Sequence, residues 1–175
     1  MYRVGIITAS DKGSRGERVD ESGAKIKEIV GEFGYEVKFY RVLPDDKEVK
    51  FYKVLPDDKD VLAEEMKSLC DKNEVDLILT TGGTGFSKRD NTPEATLSIA
   101  EKLVPGISEA IRAYSMQFTK KAMLSRAVSV IRKSTLIINM PGSPKAVKEC
   151  MECLMPALEH GLDILTGEAS ECARK

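Results

Sequence analysis

The first feature of the sequence that could carry chemistry is a glycine-rich run, Thr81-Gly82-Gly83-Thr84-Gly85. Glycine lets a backbone turn tightly and bring its N–H groups close to an anion, and threonine hydroxyls add further donors. The run lacks the Gly-Lys-Ser/Thr ending of a P-loop and the GxGxxG spacing of a dinucleotide-binding fold. It therefore predicts either a phosphate-binding loop of another kind or a tight turn without a ligand.

Carboxylates near prolines and cations are candidate magnesium ligands. Asp90 follows a Lys-Arg pair whose cations could meet phosphate, and it could hold Mg²⁺, orient an attacking group or cap a helix. Paired aspartates follow a proline twice, as Asp45-Asp46 and Asp57-Asp58. Each pair could bind Mg²⁺ or begin a helix through the helix dipole.

The turn Pro141-Gly142-Ser143-Pro144 is a further candidate anion site. It places a serine N-cap and free backbone N–H groups where a helix begins. Simple capping would leave the same sequence pattern, so both interpretations stay open here.

Core packing is the favoured interpretation of the CxxC motif. Cys150 and Cys153 form a CxxC, but in a helical stretch where Cys150 shares the apolar face. A zinc site with Cys172 and the single histidine, His160, would need distant groups to converge. That single histidine also argues against a histidine-based nucleophile relay.

The elements that must position these residues are indicated by three short apolar runs, at residues 2–9, 75–80 and 134–140. Such runs are typical of strands buried on both faces, and apolar residues at helical spacing follow each of them. Strands alternating with helices predict an α/β fold: a single three-layer α/β/α domain with a mainly parallel sheet.

Loops that leave the carboxyl ends of parallel strands share one edge of the sheet, and ligands bind there. Three loops are expected to converge at that edge: residues 10–16, 81–91 and 141–144. Two prolines suggest helix boundaries. Thr92 is predicted as an N-cap with proline at the first helical position, and Pro156 is predicted to kink or split the last helix.

Residues 36–47, EVKFYRVLPDDK, are followed at once by residues 48–59, EVKFYKVLPDDK. The copies differ only by Arg41 against Lys53, and two copies are too few for a solenoid, so we interpret them as a tandem duplication. One copy should form the second strand. The second copy runs straight into the next helix and is favoured for that strand, with the first looped out or paired as an extra edge strand.

Composition narrows the function classes. A length of 175 residues fits one domain spanning 1–175, and a net charge of −1 argues against a broad field for nucleic-acid binding. The sequence has no apolar run near the roughly 20 residues that span a bilayer, and no secretory signature at its start. Four irregularly spaced cysteines suggest a reduced setting. We therefore expect a cytoplasmic protein without nucleic-acid or membrane partners.

Three long segments strongly resemble the molybdopterin adenylyltransferase family, which includes bacterial MogA proteins and the G domains of plant and animal homologues. They are LILTTGGTGFSKRDNTPEAT (77–96), AMLSRAVSVIRKSTLIINMPGSPKAVKECM (122–151) and LMPALEHGLDIL (154–165). The resemblance covers nearly the whole chain, including IITASDKGS near the start and VLPDD before the second helix. Only the extra copy of the duplicated segment departs from the family pattern.

This resemblance implies a fold of the molybdopterin-binding-domain type, assembled as a homotrimer that binds molybdopterin and Mg-ATP. The terminal phosphate of molybdopterin would attack the α-phosphate of ATP, giving adenylyl-molybdopterin and pyrophosphate. The product would then pass to the enzyme that inserts molybdate.

The resemblance also implies the site residues. The catalytic, magnesium-binding aspartates would be Asp90 and the first aspartate of the PDD motif. The duplication makes that second aspartate either Asp57 or Asp45, and Asp57 is chosen because its distance to the glycine run is uninterrupted. The substrate- and phosphate-binding residues would be Ser10, Asp11, Thr81, Gly82, Gly83, Thr84, Gly85, Gly142 and Ser143.

Two other functions compete with this one. A pterin-binding or scaffold module of the same fold would bind pterin without releasing pyrophosphate from ATP. A nucleotide pyrophosphatase on a related fold would hydrolyse dinucleotides without pterin. The retention of Asp57 and Asp90 favours the enzyme over the scaffold, and the nearly full-length match disfavours the pyrophosphatase.

Overall fold

The structure is a computed structural model that describes residues 1–39, 53–55 and 59–168. Its strands are β1 Arg3–Ala9, β2 Glu36–Phe39, β3 Lys53–Leu55, β4 Leu77–Thr81, β5 Lys102–Leu103, β6 Ser129–Arg132 and β7 Thr135–Met140. Its helices are α1 Asp11–Ser14, α2 Glu21–Glu32, α3 Lys59–Asp71, α4 Thr92–Ser98, α5 Pro105–Ser115 and α6 Pro144–Thr166, with a 3₁₀ helix over Lys120–Leu124. None of the helices in these ranges is long and apolar enough to cross a membrane.

The strands form one sheet in the order β2-β1-β4-β7-β6-β5, with β3 also paired to β1. The pairs among β1, β2, β3, β4 and β7 are parallel, and β6 runs antiparallel to both β5 and β7. Strands β4 and β7 are buried at every position, as their continuous apolar sequences predicted. The predicted mainly parallel sheet is confirmed, and the antiparallel edge is an addition that the apolar runs did not indicate.

Helices cover both faces of the sheet, which confirms the three-layer arrangement. Alternate strand residues point to opposite faces, so Leu77 and Leu79 pack with α2, α5 and α6, while Ile78 packs with α3 and α4. Leu62 and Met66, one helical turn apart on α3, are fully buried on this second face.

The duplicated segment contributes to the sheet from both copies. Strand β2, from the first copy, pairs with the start of β1 (Arg3 opposite Glu36), and β3, from the second copy, pairs with its end (Ala9 opposite Leu55). The expectation that the second copy alone supplies this strand is therefore wrong. Both segments lie on the same edge of β1, because β4 occupies the other edge.

The register explains how a strand can begin in one copy and end in the other. Gly5 lies opposite Phe39 and Ile7 opposite Lys53, which leaves one strand position, opposite Ile6, between them. Thirteen residues, 40–52, fill that interval in the sequence, twelve more than a continuous strand needs. The excess equals one repeat, and Lys53 is the counterpart of Arg41. Lys53 therefore pairs with β1 where Arg41 would pair in a continuous strand, and every later residue keeps its register and its face.

Two helix boundaries differ from those that the prolines suggested. Helix α6 runs unbroken through Pro156, so the predicted split is wrong. Pro156 is exposed, and buried residues such as Leu154 and Leu158 hold the helix to the core on both sides of it. The N-cap of α4 is Asn91 and not Thr92, which is already helical and donates its backbone N–H to Gly83 O over 3.1 Å.

Deleting residues 41–52 should produce one continuous second strand. The deletion leaves EVKFYKVLPDDK, the same sequence that deleting 36–47 would leave. Closing an interval of this length costs about 2 kcal/mol of chain entropy, so the shortened chain should unfold with a free energy about 2 kcal/mol higher. Urea unfolding of both chains measures this difference. Equal or lower stability of the shortened chain would contradict the register argument.

Candidate active site

The three predicted loops leave β1, β4 and β7, which are neighbours in the sheet, and they contact one another directly. Thr81 Oγ1 donates a hydrogen bond to Pro141 O over 2.7 Å, and Gly82 N donates to Met140 O over 3.2 Å. A Cβ on Gly142 would lie 3.2 Å from Gly82 Cα. The backbones after β4 and β7 are therefore packed against each other.

Gly82 is the position where this packing is tightest. Its φ is +90°, and a Cβ there would lie only 2.4 Å from the carbonyl oxygen of Ala9, the last residue of β1. Gly83 follows with a φ of +65°. Only glycine fits both the left-handed conformation and the contact with β1, so the glycine run is required by the geometry of the edge.

The glycine run borders two cavities. The first, of about 150 Å³, has walls from all three loops and from the start of α2; its lining includes Ser10, Thr81, Gly82 and Gly142, with Arg18 and Asp20. The second, of about 270 Å³, is lined by Thr84, Gly85 and Pro141 together with residues of α5, α6 and the 3₁₀ helix, among them Arg112 and Lys121. Each half of the run thus faces a different cavity, and cations border both.

Asp20, which the sequence analysis did not single out, holds the first cavity together. It is the N-cap of α2 and accepts hydrogen bonds from Ser22 N and Gly23 N and, over 2.6 Å, from the Thr8 hydroxyl. Burial raises the pKa of Asp20, against the lowering effect of these hydrogen bonds. Ser22 Oγ also donates to Gly142 O over 2.8 Å. The N-cap role of Asp20 could have been predicted, because an aspartate directly before an apolar helical repeat is a typical helix start.

Asp90 closes a turn within its own loop. Its Oδ2 accepts a hydrogen bond from Ser87 N over 2.9 Å, and its N–H donates to Ser87 O over 3.0 Å. A Cβ on Gly85 would lie 2.8 Å from the same Oδ2. Asp90 is therefore not a helix cap, and the third glycine of the run leaves space for its carboxylate.

The first loop is joined to the second by an ion pair. Arg89 Nη2 lies 2.8 Å from Asp11 Oδ1, and the Asp11 side chain is only 19% exposed. Ser10 caps the short helix α1 by accepting from Gly13 N over 3.1 Å. The predicted site residues Ser10 and Asp11 thus lie beside the glycine loop.

Of the remaining predicted site residues, the structure describes Ser143 but not the aspartates of the PDD motif. Ser143 is the N-cap of α6, as expected, and accepts from Ala146 N over 3.5 Å at the surface. Asp45 and Asp57 lie outside the described residues. Among the described residues, no group of three or more histidine, cysteine, aspartate or glutamate side chains could hold a metal.

The two cysteines of the CxxC differ in burial. Cys150 is fully buried, with its Sγ 3.9 Å from Ser115 Oγ, and burial raises its pKa to about 11. Cys153 is partly buried. The expected core packing of Cys150 is confirmed, and Cys172 lies outside the described residues.

An α/β domain whose glycine-rich loop separates two cavities at the carboxyl edge of a parallel sheet belongs to the class that binds ligands at this edge. A family profile described as "Probable molybdopterin binding domain" matches residues 5–50 and 47–160. The chain belongs to this family, as its sequence predicted. The two matched segments overlap at residues 47–50, inside the duplicated segment.

Relatives and solved structures agree with this assignment. The molybdopterin adenylyltransferase of Helicobacter pylori is 36% identical over 174 residues, 98% of this chain and 92% of the relative. That of Haemophilus influenzae is 39% identical over 157 residues, 87% and 72% of the two chains. The crystal structure of the molybdopterin biosynthesis enzyme MoaB from Thermus thermophilus superposes with a TM-score of 0.84 at 41% identity, covering 95% of this chain and 98% of that one.

Replacing Gly82 by alanine should force the glycine loop away from β1, because the new methyl group would overlap the Ala9 carbonyl. We expect a loss of about 2–4 kcal/mol in the free energy of unfolding. Gly31→Ala is the matched control: Gly31 lies in α2 with open space around it, so alanine should stabilise by about 0.5–1 kcal/mol. Thermal unfolding distinguishes the two, and a neutral Gly82→Ala would contradict the tight packing.

The buried thiols should resist alkylation. With a pKa of about 11, Cys70 and Cys150 are thiolate in about one molecule per thousand at pH 8. Peptide mapping after iodoacetamide treatment should find Cys153 labelled well before Cys150 in the folded protein, and both labelled alike in urea. Rapid labelling of Cys150 without urea would contradict the burial of its thiol in the folded protein.

Proposed function

We propose that this chain is a molybdopterin adenylyltransferase of molybdenum cofactor biosynthesis. The observation that carries the proposal is the glycine run shared by two cavities at one sheet edge, which suits two substrates joined through their phosphates. The relatives named molybdopterin adenylyltransferase, which align with 87–98% of this chain, support the same activity.

In the proposed reaction the terminal phosphate of molybdopterin attacks the α-phosphate of ATP. A new P–O bond forms, the bond from the α-phosphorus to its bridging oxygen breaks, and pyrophosphate leaves. Transfer between two polyanions requires charge neutralisation and in-line positioning more than a covalent nucleophile. Backbone N–H groups of residues 83–85 and the cations bordering the cavities supply donors of this kind.

Magnesium, when bound with ATP, would neutralise charge on the transferred phosphate. The residues present suit such an ion, because Mg²⁺ is usually held by one or two carboxylates together with substrate phosphates. We assign Asp90 as one of these carboxylates. Ser87 N engages its Oδ2, and the second oxygen of the carboxylate can bind the metal.

The second carboxylate is assigned to Asp57 and not to Asp45. Leu55 pairs with Ala9 at the carboxyl end of β1, and Asp57 follows Leu55 by two residues in the sequence. Asp45 precedes Lys53 by eight residues and so does not directly follow the end of the paired strand. The ending of the second strand therefore favours the second copy of the PDD motif.

The proposal includes three further features from the family resemblance. They are assembly as a homotrimer, hand-over of adenylyl-molybdopterin to a molybdate-inserting enzyme, and a cytoplasmic location. Light scattering of the purified chain tests the first of these directly.

The decisive experiment incubates the chain with molybdopterin and Mg-ATP and measures adenylyl-molybdopterin and pyrophosphate. Both products should appear in equal amounts. Pterin binding without pyrophosphate release would instead establish the scaffold alternative. The chain lacking residues 41–52 is assayed beside it, so that a lack of turnover caused by the duplication is distinguished from a wrong assignment of function.

Asp90→Asn should abolish AMP transfer, with kcat lower by at least about 100-fold. Asparagine keeps the oxygen that accepts from Ser87 N and removes only the charge, so the loop and pterin binding should survive. Asp71→Asn is the charge-matched control, because Asp71 ends α3 before the start of β4 and pairs with Arg132. Near-normal turnover in Asp90→Asn would exclude its proposed role.

A further inference from the structure

The loop from Gly82 to Asn91 has no regular secondary structure along most of its length, yet one distant side chain joins its two sides. Arg126 Nε donates to Gly85 O over 2.7 Å, and its Nη2 donates to Asp90 O. Its own backbone N–H donates to Thr84 O over 3.0 Å. Both sides of the loop are therefore anchored to the segment before β6.

A third contact of the guanidinium group extends this anchor to α4. Arg126 Nη1 forms an ion pair with Glu94 in the first turn of that helix. The positive charge of Arg126 is thus balanced by a neighbouring carboxylate and two carbonyl oxygens. Phosphate neutralisation is better served by cations that line the cavities, such as Arg18 and Lys121.

The contacts of Arg126 bear directly on the carboxylate proposed to act with magnesium. Asp90 Oδ2 is oriented by Ser87 N, within the turn whose flanking carbonyls, of Gly85 and Asp90, are the ones that Arg126 holds. If either carbonyl moved, the turn and the carboxylate would move with it. A displacement of about 1 Å in a group that positions a reaction can cost about 100-fold in rate.

Arginine is chemically required for this arrangement. Its planar guanidinium offers five N–H donors in a fixed fork, which here point to two carbonyls and one carboxylate. Lysine carries the same charge but concentrates its donors on one nitrogen at the end of a flexible stem. Lysine at this position would therefore keep the charge and lose the bridge between the two sides of the loop.

We infer that Arg126 is a positioning residue for adenylyl transfer, which holds the Gly85–Asp90 turn and thereby sets the orientation of the Asp90 carboxylate. This inference rests on the proposed function. It assigns a role to a residue that neither the motif analysis nor the cavity linings singled out.

The test compares Arg126→Lys with Arg132→Lys. Arg132 is a matched control because its guanidinium also bridges a carboxylate, that of Asp71, and a backbone carbonyl, that of Ile99, but far from the candidate site. In Arg126→Lys, kcat should fall by about 10- to 100-fold, while the KM for ATP changes by less than about threefold. In Arg132→Lys, kcat should stay within about twofold of the unmodified chain, whatever stability is lost.

A second readout does not depend on activity. Amide hydrogen exchange at Ser87 and Asp90 should become faster in Arg126→Lys and stay unchanged in Arg132→Lys, because those amides close the turn that Arg126 holds. Normal kcat in Arg126→Lys would overturn the inference. A lower kcat with unchanged exchange would also overturn it, since the loss of rate would then not come from a loosened Gly85–Asp90 turn.

Two further conditions keep the test decisive. If neither the unmodified chain nor the chain lacking residues 41–52 makes adenylated pterin, the proposed function fails, while the exchange measurement still reports whether Arg126 holds the turn. If Arg126→Lys does not fold, Glu94→Ala removes one of the three guanidinium contacts. It should give faster exchange and a smaller fall in kcat, and normal values of both would contradict the inference.

Discussion

The structure of the candidate site depends on one steric constraint, the contact between the backbone of Gly82 and the carbonyl of Ala9. Parallel strands end at a common edge, but side chains normally keep the following loops apart. Here a methyl group would lie 2.4 Å from a carbonyl oxygen, so the loop after β4 can settle against β1 only because residue 82 is glycine. That contact lets the third loop, at Gly142, pack on the other side. The first cavity, with walls from all three loops, follows from it.

A buried polar network sets the position of α4 behind this edge. Asn139, fully buried on β7, donates to Thr80 Oγ1 over 3.0 Å and to Thr96 Oγ1 over 2.9 Å, and its Oδ1 accepts from Val128 N over 3.3 Å. Each of these polar groups is satisfied within the core, so the network fixes one arrangement of β4, β7 and α4. Together with Arg126, it fixes both ends of a loop that has no regular structure of its own.

Most of the fold could be predicted from the sequence, because continuous apolar runs and helical spacing are local signals. The positions of the glycine run and of the turn at Gly142, each after a strand, could also be predicted from the sequence. The antiparallel hairpin of β6 and β7 was not, since its turn uses Lys133 at a φ of +51° in place of the glycine or asparagine that usually indicates one. Arg126 was missed for a different reason. Its partners lie 32 to 41 residues away in the sequence, and such pairings exist only in the folded chain.

The split second strand has a consequence for how such domains can change. An outermost strand bonds to the sheet along one edge only, so material can be added within it without separating the central strands. Because the added residues equal one repeat, replication slippage at this point gives a chain whose later residues all return to their former places. Strand β3 then pairs with β1 as far as Ala9, where the first of the three converging loops begins. The same position therefore offers an insertion point, where a foreign peptide segment could be grafted into the strand beside β1 while β3 keeps its pairing.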